Sequence, residues 1–283
     1  MDESPYSVLE AKGKGVKANS DSASKSPYIG CITSSHYAQE PFAIYMRLES
    51  RSGQSIAKAL NEWTNVDAIS IDGYAGYNTA LKLLGRESRI KVHRCLIHWR
   101  RTLYEALNLK ACEELIGTPE GEAEIRRRLN GGVADVAFIS VIGALGKIYA
   151  YERSIVRMPG EKEASYLDRA LQMRKAKVKP LIDDIDKLMN ELAGRYAKKG
   201  KTGWEASGAS PFAKGIVHWL NHREDICRFL EDARLSPDTN AVERCIRAVA
   251  VGRRSSFFKQ TNEYMDTQCN AWNAERNGQT KRH

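Results

Sequence analysis

Cysteine is sparse in this chain and falls into no framework. The six cysteines among 283 residues stand apart at Cys31, Cys95, Cys112, Cys227, Cys245 and Cys269, with no Cys-x-x-Cys pair. That excludes a disulfide scaffold and a four-cysteine zinc site, and it suits a reducing, cytoplasmic compartment. Long apolar runs are missing as well. The longest uncharged stretch, Val136 to Gly146, is far too short to span a bilayer, so no membrane partner is expected. Met1-Asp2-Glu3-Ser4 is acidic and leads into no apolar run, which argues against a signal peptide. A Gly-x4-Gly-Lys-Ser/Thr loop and a strand-anchored Gly-x-Gly-x-x-Gly are both absent, so a nucleotide-hydrolysing motor is not expected. No internal repeat is visible. Negative charge is in deficit: 35 acidic residues face 44 lysines and arginines, a net +9. Such a surplus favours a polyanionic partner, nucleic acid first, with simple solubility as the other explanation. What the chain does have is a globular composition, 42% hydrophobic and 28% charged, enough to bury a core.

The first hundred residues read as mixed α/β. Tyr6 to Leu9 is a short extended candidate, and Lys12 to Ser26 is a polar connection. Tyr28 to Ser34 and Phe42 to Leu48 are β-rich runs that make a plausible antiparallel pair. Ser52 to Trp63 has helical spacing, with Ile56, Ala59, Leu60 and Trp63 on one face and Ser52 or Ser55 as cap. Ala68 to Ile71 is a short strand ending at Asp72-Gly73. A helix from Ala75 to Leu84 and a strand from Ile90 to Cys95 follow. From Trp99 to Tyr196 the pattern is helical: Thr102 to Ile116, Val136 to Arg157, Lys162 to Met173 and Pro180 to Tyr196. The last is led by a proline in the favoured first turn, with an apolar stripe of Leu181, Ile185, Leu188, Met189 and Leu192. Lys198 to Ser210 reads as a loop. Helix returns at Pro211 to Asn221, a short run spans Ile226 to Leu230, and a new helix starts after Pro237-Asp238, with Asp238, Thr239 or Asn240 as its cap. This order suggests a sheet interrupted by an all-helical insertion.

Three acidic residues are candidates for chemistry. Asp72 ends a buried strand, where α/β sheets open their functional crevice; capping the Ala75 helix is the plainer role. Glu243, in Asp238-Thr239-Asn240-Ala241-Val242-Glu243-Arg244, lies in a helix's first turn. There it fits either a capping box on Asn240 with an ion pair to Arg247, or a metal carboxylate if another acid is close in space. Asp2 alone would be passed over as a disordered terminal residue. His93, Cys95 and His98 form a cluster without a convincing fourth zinc ligand. His218 and His222, at i,i+4, lack the glutamate of a zinc protease helix. Arg244, Arg247, Arg253, Arg254 and Lys259, with Phe257 and Phe258 among them, concentrate cations beside Glu243. They suit phosphate positioning, with a solvated helix face as the alternative.

Together these segments resemble one family. Asp72-Gly73-Tyr74-Ala75-Gly76-Tyr77 is similar to the Asp-Gly-Tyr-x-Gly-Tyr signature of bacterial insertion-sequence-66-type transposases. Cys95-Leu96-Ile97-His98-Trp99-Arg100-Arg101 resembles that family's Cys-x-x-His-x-Arg-Arg segment. Phe229 to Leu235, followed by Asp238-x-Asn240-x-x-Glu243-Arg244-x-Ile246-Arg247, resembles its closing motif, and Gly252-Arg253-Arg254 with Phe257-Phe258 continues it. Asp2-Glu3-Ser4-Pro5 is similar to its Asp-Glu-Thr-Pro strand.

The resemblance implies an RNase H-like α/β core with a mixed sheet, of the DDE type, and a helical insertion before the final glutamate. Residues 1–100 would then begin the catalytic core, residues 101–210 form the insertion, and residues 211–262 close the core. Residues 263–283 would be a divergent polar tail. Asp2, Asp72 and Glu243 would be the catalytic triad holding two Mg²⁺ ions, with Mn²⁺ as a possible substitute. Arg244, Arg247, Arg253, Arg254 and Lys259 would bind DNA. The implied activity is Mg²⁺-dependent DNA strand cleavage and strand transfer during transposition. The partners would be the element's ends and its target, a homo-oligomer assembled on DNA, and accessory proteins encoded by the same element. The family places a zinc-finger-like and helical DNA-binding segment ahead of the first aspartate and an apolar helix at the close. Measured against that pattern, the chain is expected to be a core truncated at both ends. A catalytically inactive remnant that binds DNA or a full-length transposase is the rival expectation, and a metal-dependent nuclease without strand transfer a third.

Overall fold

The computed structural model describes residues 1–5, 27–35, 37–38, 41–108, 118–129, 132–255 and 262–276. The extended candidate at Tyr6 to Leu9, the Lys12 to Ser26 connection and Lys259 lie outside the described residues. The chain divides into two compact units, Met1–Arg94 with Asp238–His283, and Cys95–Pro237.

The first unit is built on strands. β1 (Asp2–Pro5), β2 (Tyr28–Thr33) and β3 (Ala43–Leu48) form an antiparallel sheet in the order β1-β2-β3. β4 (Ala68–Ile71) and β5 (Lys91–Arg94) are a parallel pair connected through α2 (Ala75–Leu83). α1 (Gly53–Leu60) precedes β4, and Ser52 caps it by accepting a hydrogen bond from the Ser55 amide. After the second unit come α9 (Asn240–Ser255) and α10 (Asn262–Arg276).

Strand periodicity decides what each sheet face meets. Ile29 and Cys31 of β2 join Ala43 and Tyr45 of β3 on one face. There they pack on Val242, Cys245, Ile246 and Val249 of α9 and on Met265 and Cys269 of α10. The alternate residues, Tyr28, Ile32, Met46 and Leu48, meet Ile56, Ala57 and Leu60 of α1, Tyr77 and Ala80 of α2, and Ile71. The polar composition of residues 262–276 therefore conceals a stripe: Met265, Cys269 and Trp272 recur at helical spacing and seat α10 on the sheet. Asn273 fastens it further. Its Oδ1 accepts from the Tyr45 amide at 2.6 Å and its Nδ2 donates to the Tyr45 carbonyl at 3.1 Å, which covers polar backbone on β3.

The second unit is helical: α3 (Leu96–Ala106), α4 (Pro119–Leu129), α5 (Val133–Ser154), α6 (Glu163–Met173), α7 (Lys179–Tyr196) and α8 (Pro211–Cys227). A π turn at Arg174–Val178 fuses α6 to α7, and the Lys179 amide reaches back to the Arg174 carbonyl. Pro180 stands just after this turn and has no amide to continue the regular ladder. By length and composition α5 is apolar enough to cross a membrane. Its Ala134, Ala137, Phe138, Val141, Leu145 and Ile148 are nevertheless buried at helical spacing, as in a core helix of this unit. The centre of the unit holds Trp99 and Trp219, both fully buried with ring centroids 4.4 Å apart. The segment expected as a loop after Tyr196 is instead a hairpin of β6 (Ala197–Lys199) and β7 (Trp204–Ala206). Helix α8 runs unbroken past Asn221 to Cys227 and ends in a 3₁₀ turn at Arg228–Leu230.

Candidate acidic site

Asp2, Asp72 and Glu243 all belong to the first unit. Asp2 lies in β1, directly opposite Cys31, so its side chain projects from the sheet face that α9 covers. Its Oδ1 accepts the Glu3 amide at 2.8 Å. Burial pushes the Asp2 carboxyl above its ordinary pKa, and negative charge on Glu3, Asp72 and Glu243 pushes it the same way against the opposing amide bond. Asp2 therefore feels both other members of the predicted triad.

Asp72 follows the last residue of β4, and Gly73 turns the chain sharply behind it at φ +100°, a region that suits glycine. Asp72 does not cap α2: that position belongs to Tyr74, whose side chain makes no capping bond. Asp72 Oδ1 instead accepts the Tyr74 amide at 2.8 Å, and Oδ2 lies 3.5 Å from Arg51 Nη2. The turn is braced by Arg94, whose buried guanidinium donates to the Gly73 carbonyl at 3.3 Å.

Glu243 is in the first turn of α9, but the capping box is out of register. The Glu243 amide bonds to the Thr239 carbonyl at 3.0 Å, which makes Thr239 the N-cap. The position three residues on is then Val242, not Glu243. Asp238 takes the Asn240 amide at 2.9 Å, and the Thr239 hydroxyl donates to Glu243 Oε1 at 2.7 Å. Arg244 and Arg247 are exposed on α9. Arg253 and Arg254 lie in its last turn.

Sequence reasoning missed the groups that hold this site. Glu3 has no exposed side-chain surface. It accepts a very short bond from the Tyr77 hydroxyl and another from Arg51 Nε at 2.5 Å. Burial, reinforced by Glu3, raises the Tyr77 pKa, so its hydroxyl remains a donor. Arg51 lies 4.1 Å over the Tyr74 ring, and the Tyr74 hydroxyl donates back to the Arg51 carbonyl at 2.8 Å. The one signal for this network was an acidic residue beside Asp2 on a strand, which period-2 alternation must send to the opposite face. Among the histidines, His93 is buried on β5 with Nδ1 3.1 Å from Ser70 Oγ. Cys95 and His98 belong to the other unit, at the cap and first turn of α3. His218 and His222 stack edge to face on α8.

Residues 1–267 match the profile of the Transposase IS66 family. The chain belongs to this family. Three uncharacterized proteins of Sinorhizobium fredii (strain NBRC 101917 / NGR234) are similar to it. They are y4jD, 27% identical over 220 residues, y4qI, 26% over 221, and y4hP, 24% over 218. In each case 77% of this chain is covered. It spans about a third of the length of these relatives: 35%, 33% and 34% respectively. No solved structure matches it. Within the IS66 family match lie Asp2, the Asp72 turn and the Glu243 helix.

Proposed function

We propose that this chain is catalytic material of a DNA transposase, with Asp2, Asp72 and Glu243 as a carboxylate site for Mg²⁺. One observation carries the reading: Asp2 projects from the sheet face that α9 covers, where burial and the nearby charges of Glu3, Asp72 and Glu243 push its pKa up. Partly buried carboxylates that repel one another are relieved by a divalent cation, and their oxygens are the donors that Mg²⁺ prefers. The residues therefore fit the ion. Asp2, Asp72 and Glu243 would hold Mg²⁺, or Mn²⁺ in its place, and the ions would supply activation of a water or 3′-hydroxyl and stabilisation of the leaving oxygen.

The chain's own residues do the rest. The Tyr74 amide orients Asp72 through Oδ1, and Arg51 stands 3.5 Å from Oδ2. Thr239 holds Glu243, and Arg244 and Arg247 stand beside it to meet DNA phosphates. An RNase H-like core is part of this proposal and is consistent with the family match. The described strands pair as two separate sheets, β1-β2-β3 and β4-β5. The Met1 ammonium donates to the Ser70 carbonyl at 3.1 Å, which brings the start of β1 close to β4.

Titration with Mn²⁺, followed by spin resonance, tests the site. The wild type is expected to bind the ion and, with Mg²⁺, to cleave DNA carrying the element's ends. Asp72→Ala should lose both. Equal cleavage by wild type and Asp72→Ala would sink the catalytic reading. DNA binding without cleavage, surviving loss of Glu243, would favour an inactive DNA-binding remnant instead.

A further inference from the structure

The β6–β7 hairpin carries the sequence Lys198-Lys199-Gly200-Lys201-Thr202-Gly203-Trp204-Glu205 and follows directly on Arg195 and Tyr196. Polar, glycine-rich composition would leave such a segment mobile, but the structure pins it. The Gly200 amide closes the turn on the Gly203 carbonyl at 2.7 Å. Asn221 of α8 grips the second strand with both ends of its amide: Oδ1 accepts the Trp204 amide at 2.7 Å and Nδ2 donates to the Trp204 carbonyl at 2.8 Å. Gly203 passes so close to this amide that a Cβ there would lie 2.6 Å from Asn221 Oδ1. The Ser207 amide adds a bond to the Tyr196 carbonyl at 3.0 Å.

What this anchored tip presents is positive charge. Arg195, Lys198, Lys199 and Lys201 are exposed, and none pairs with a carboxylate among the described residues. Elsewhere in the same unit Lys179, Lys214, Arg169 and Arg223 each meet a carboxylate at 2.6, 2.8, 2.8 and 2.7 Å. Glu205, the single acid on the hairpin, stands directly opposite Lys198, while Lys199 faces the other side with Trp204. Lys199 Nζ lies 5.3 Å over the Trp204 ring, an apolar plate beside the cations. Holding like charges together on a rigid tip costs electrostatic free energy that a polyanion recovers on binding.

We propose that the β6–β7 hairpin is a second DNA contact, gripping the phosphate backbone through Lys198, Lys199 and Lys201 independently of the acidic site. This rests on DNA being the partner, as proposed above. Each lysine that neutralises a phosphate adds about 0.9 to the slope of log affinity against log salt. Fluorescence anisotropy of a labelled duplex, across a salt series with the full chain, reads this directly. In the Lys198→Ala/Lys199→Ala/Lys201→Ala variant the slope should fall by about 2 to 3, and affinity at 0.1 M salt by about two orders of magnitude. A control variant, Lys58→Ala/Lys179→Ala/Lys214→Ala, removes the same charge from ion-paired positions and should lose less than about 1 from the slope. If the two triple variants lose equally, or if the hairpin variant matches the wild type, the hairpin is not the contact, while DNA binding by the chain stands. If the wild type binds no duplex even at low salt, the DNA reading itself fails and this proposal with it.

Discussion

Arg51→Met removes the one cation that, among the described residues, reaches both Glu3 and Asp72. The Glu3 side chain has 0% exposure, against 40% for Arg51. Stripping the partner from a buried carboxylate costs about 3–5 kcal/mol when both groups are sealed from water. Arg51 is partly solvated, so its share is screened and about 2–3 kcal/mol is the reasonable range. The guanidinium over Tyr74 at 4.1 Å contributes about 0.5–1 kcal/mol more. The 3.5 Å approach to Asp72 is too long to add much. Methionine keeps most of the aliphatic volume, so little of the loss is packing. The variant should therefore be destabilised by about 3 kcal/mol, a melting-temperature drop of about 6–12 °C for a chain of this size. Urea unfolding measures it. The double variant Arg51→Met/Glu3→Gln is the decisive control. A neutral amide in place of Glu3 still accepts the Tyr77 hydroxyl and leaves no charge buried, so it should restore much of the loss. A single variant within about 0.5 kcal/mol of wild type, or a double variant as unstable as the sum of the singles, would refute the reasoning.

Asp2 gives a pH-dependent signature. Its folded pKa is raised above the ordinary 3.8, so the fold binds that proton more tightly than the unfolded chain does. The associated stability is fully present below about pH 4 and is lost as pH rises through the raised folded value. At pH 7 without divalent ions, Asp2→Asn should melt above the wild type, and added Mg²⁺ should narrow the gap by stabilising only the wild type. A lower melting point for Asp2→Asn under those conditions would contradict this. In the second unit, Arg174 is fully buried and forms a two-pronged pair with Glu152 at 2.9 and 3.0 Å, while also donating to the Phe229 carbonyl at 2.7 Å. Glu152→Ala leaves that guanidinium charged and without its counterion. Urea unfolding should show a loss of about 3–5 kcal/mol, and a loss under about 1 kcal/mol would mean that the pair adds little.

The elements that could be read from the sequence are those whose periodicity was complete within one segment. β2, β3, α1 and α2 each carry a full apolar face, and α7 announces itself by Pro180 and its stripe. In detail the α7 core is Ile182, Ile185, Met189, Leu192 and Ala193, so Ile182 faces inward in place of Leu181. At about 100° per residue Leu181 and Leu188 fall on one flank of the face centred between Ile185 and Met189 and Ile182 on the other, and apolar spacing alone does not tell the two flanks apart. The features that escaped depend on distant partners. A tail of asparagine and glutamate reads as polar until β3 supplies something for Met265, Cys269 and Trp272 to pack on. The Lys198 to Ser210 segment has loop composition, and only Asn221, seventeen positions after Trp204, turns part of it into a hairpin.

The same dependence governs the acidic site. Asp2 and Glu3 are neighbours of nearly identical chemistry, and nothing local distinguishes them. Their register does. Asp2 stands opposite Cys31, which belongs to the core beneath α9, so its carboxyl meets the field of Glu243. Glu3 stands opposite Gly30 and reaches Tyr77 of α2 and Arg51 ahead of α1. One carboxylate is thus neutralised by the protein's own cation and hydroxyl, while the other is left raised in pKa among acids. A strand that buries Glu3 and half-buries Asp2 requires each carboxylate to find a counter-charge or take up a proton. The fold supplies Arg51 for Glu3, and for Asp2 the proposed divalent ion fills that role. Replacing Glu3 should therefore change stability with little effect on the salt dependence of DNA binding, and replacing Asp2 should change metal binding first.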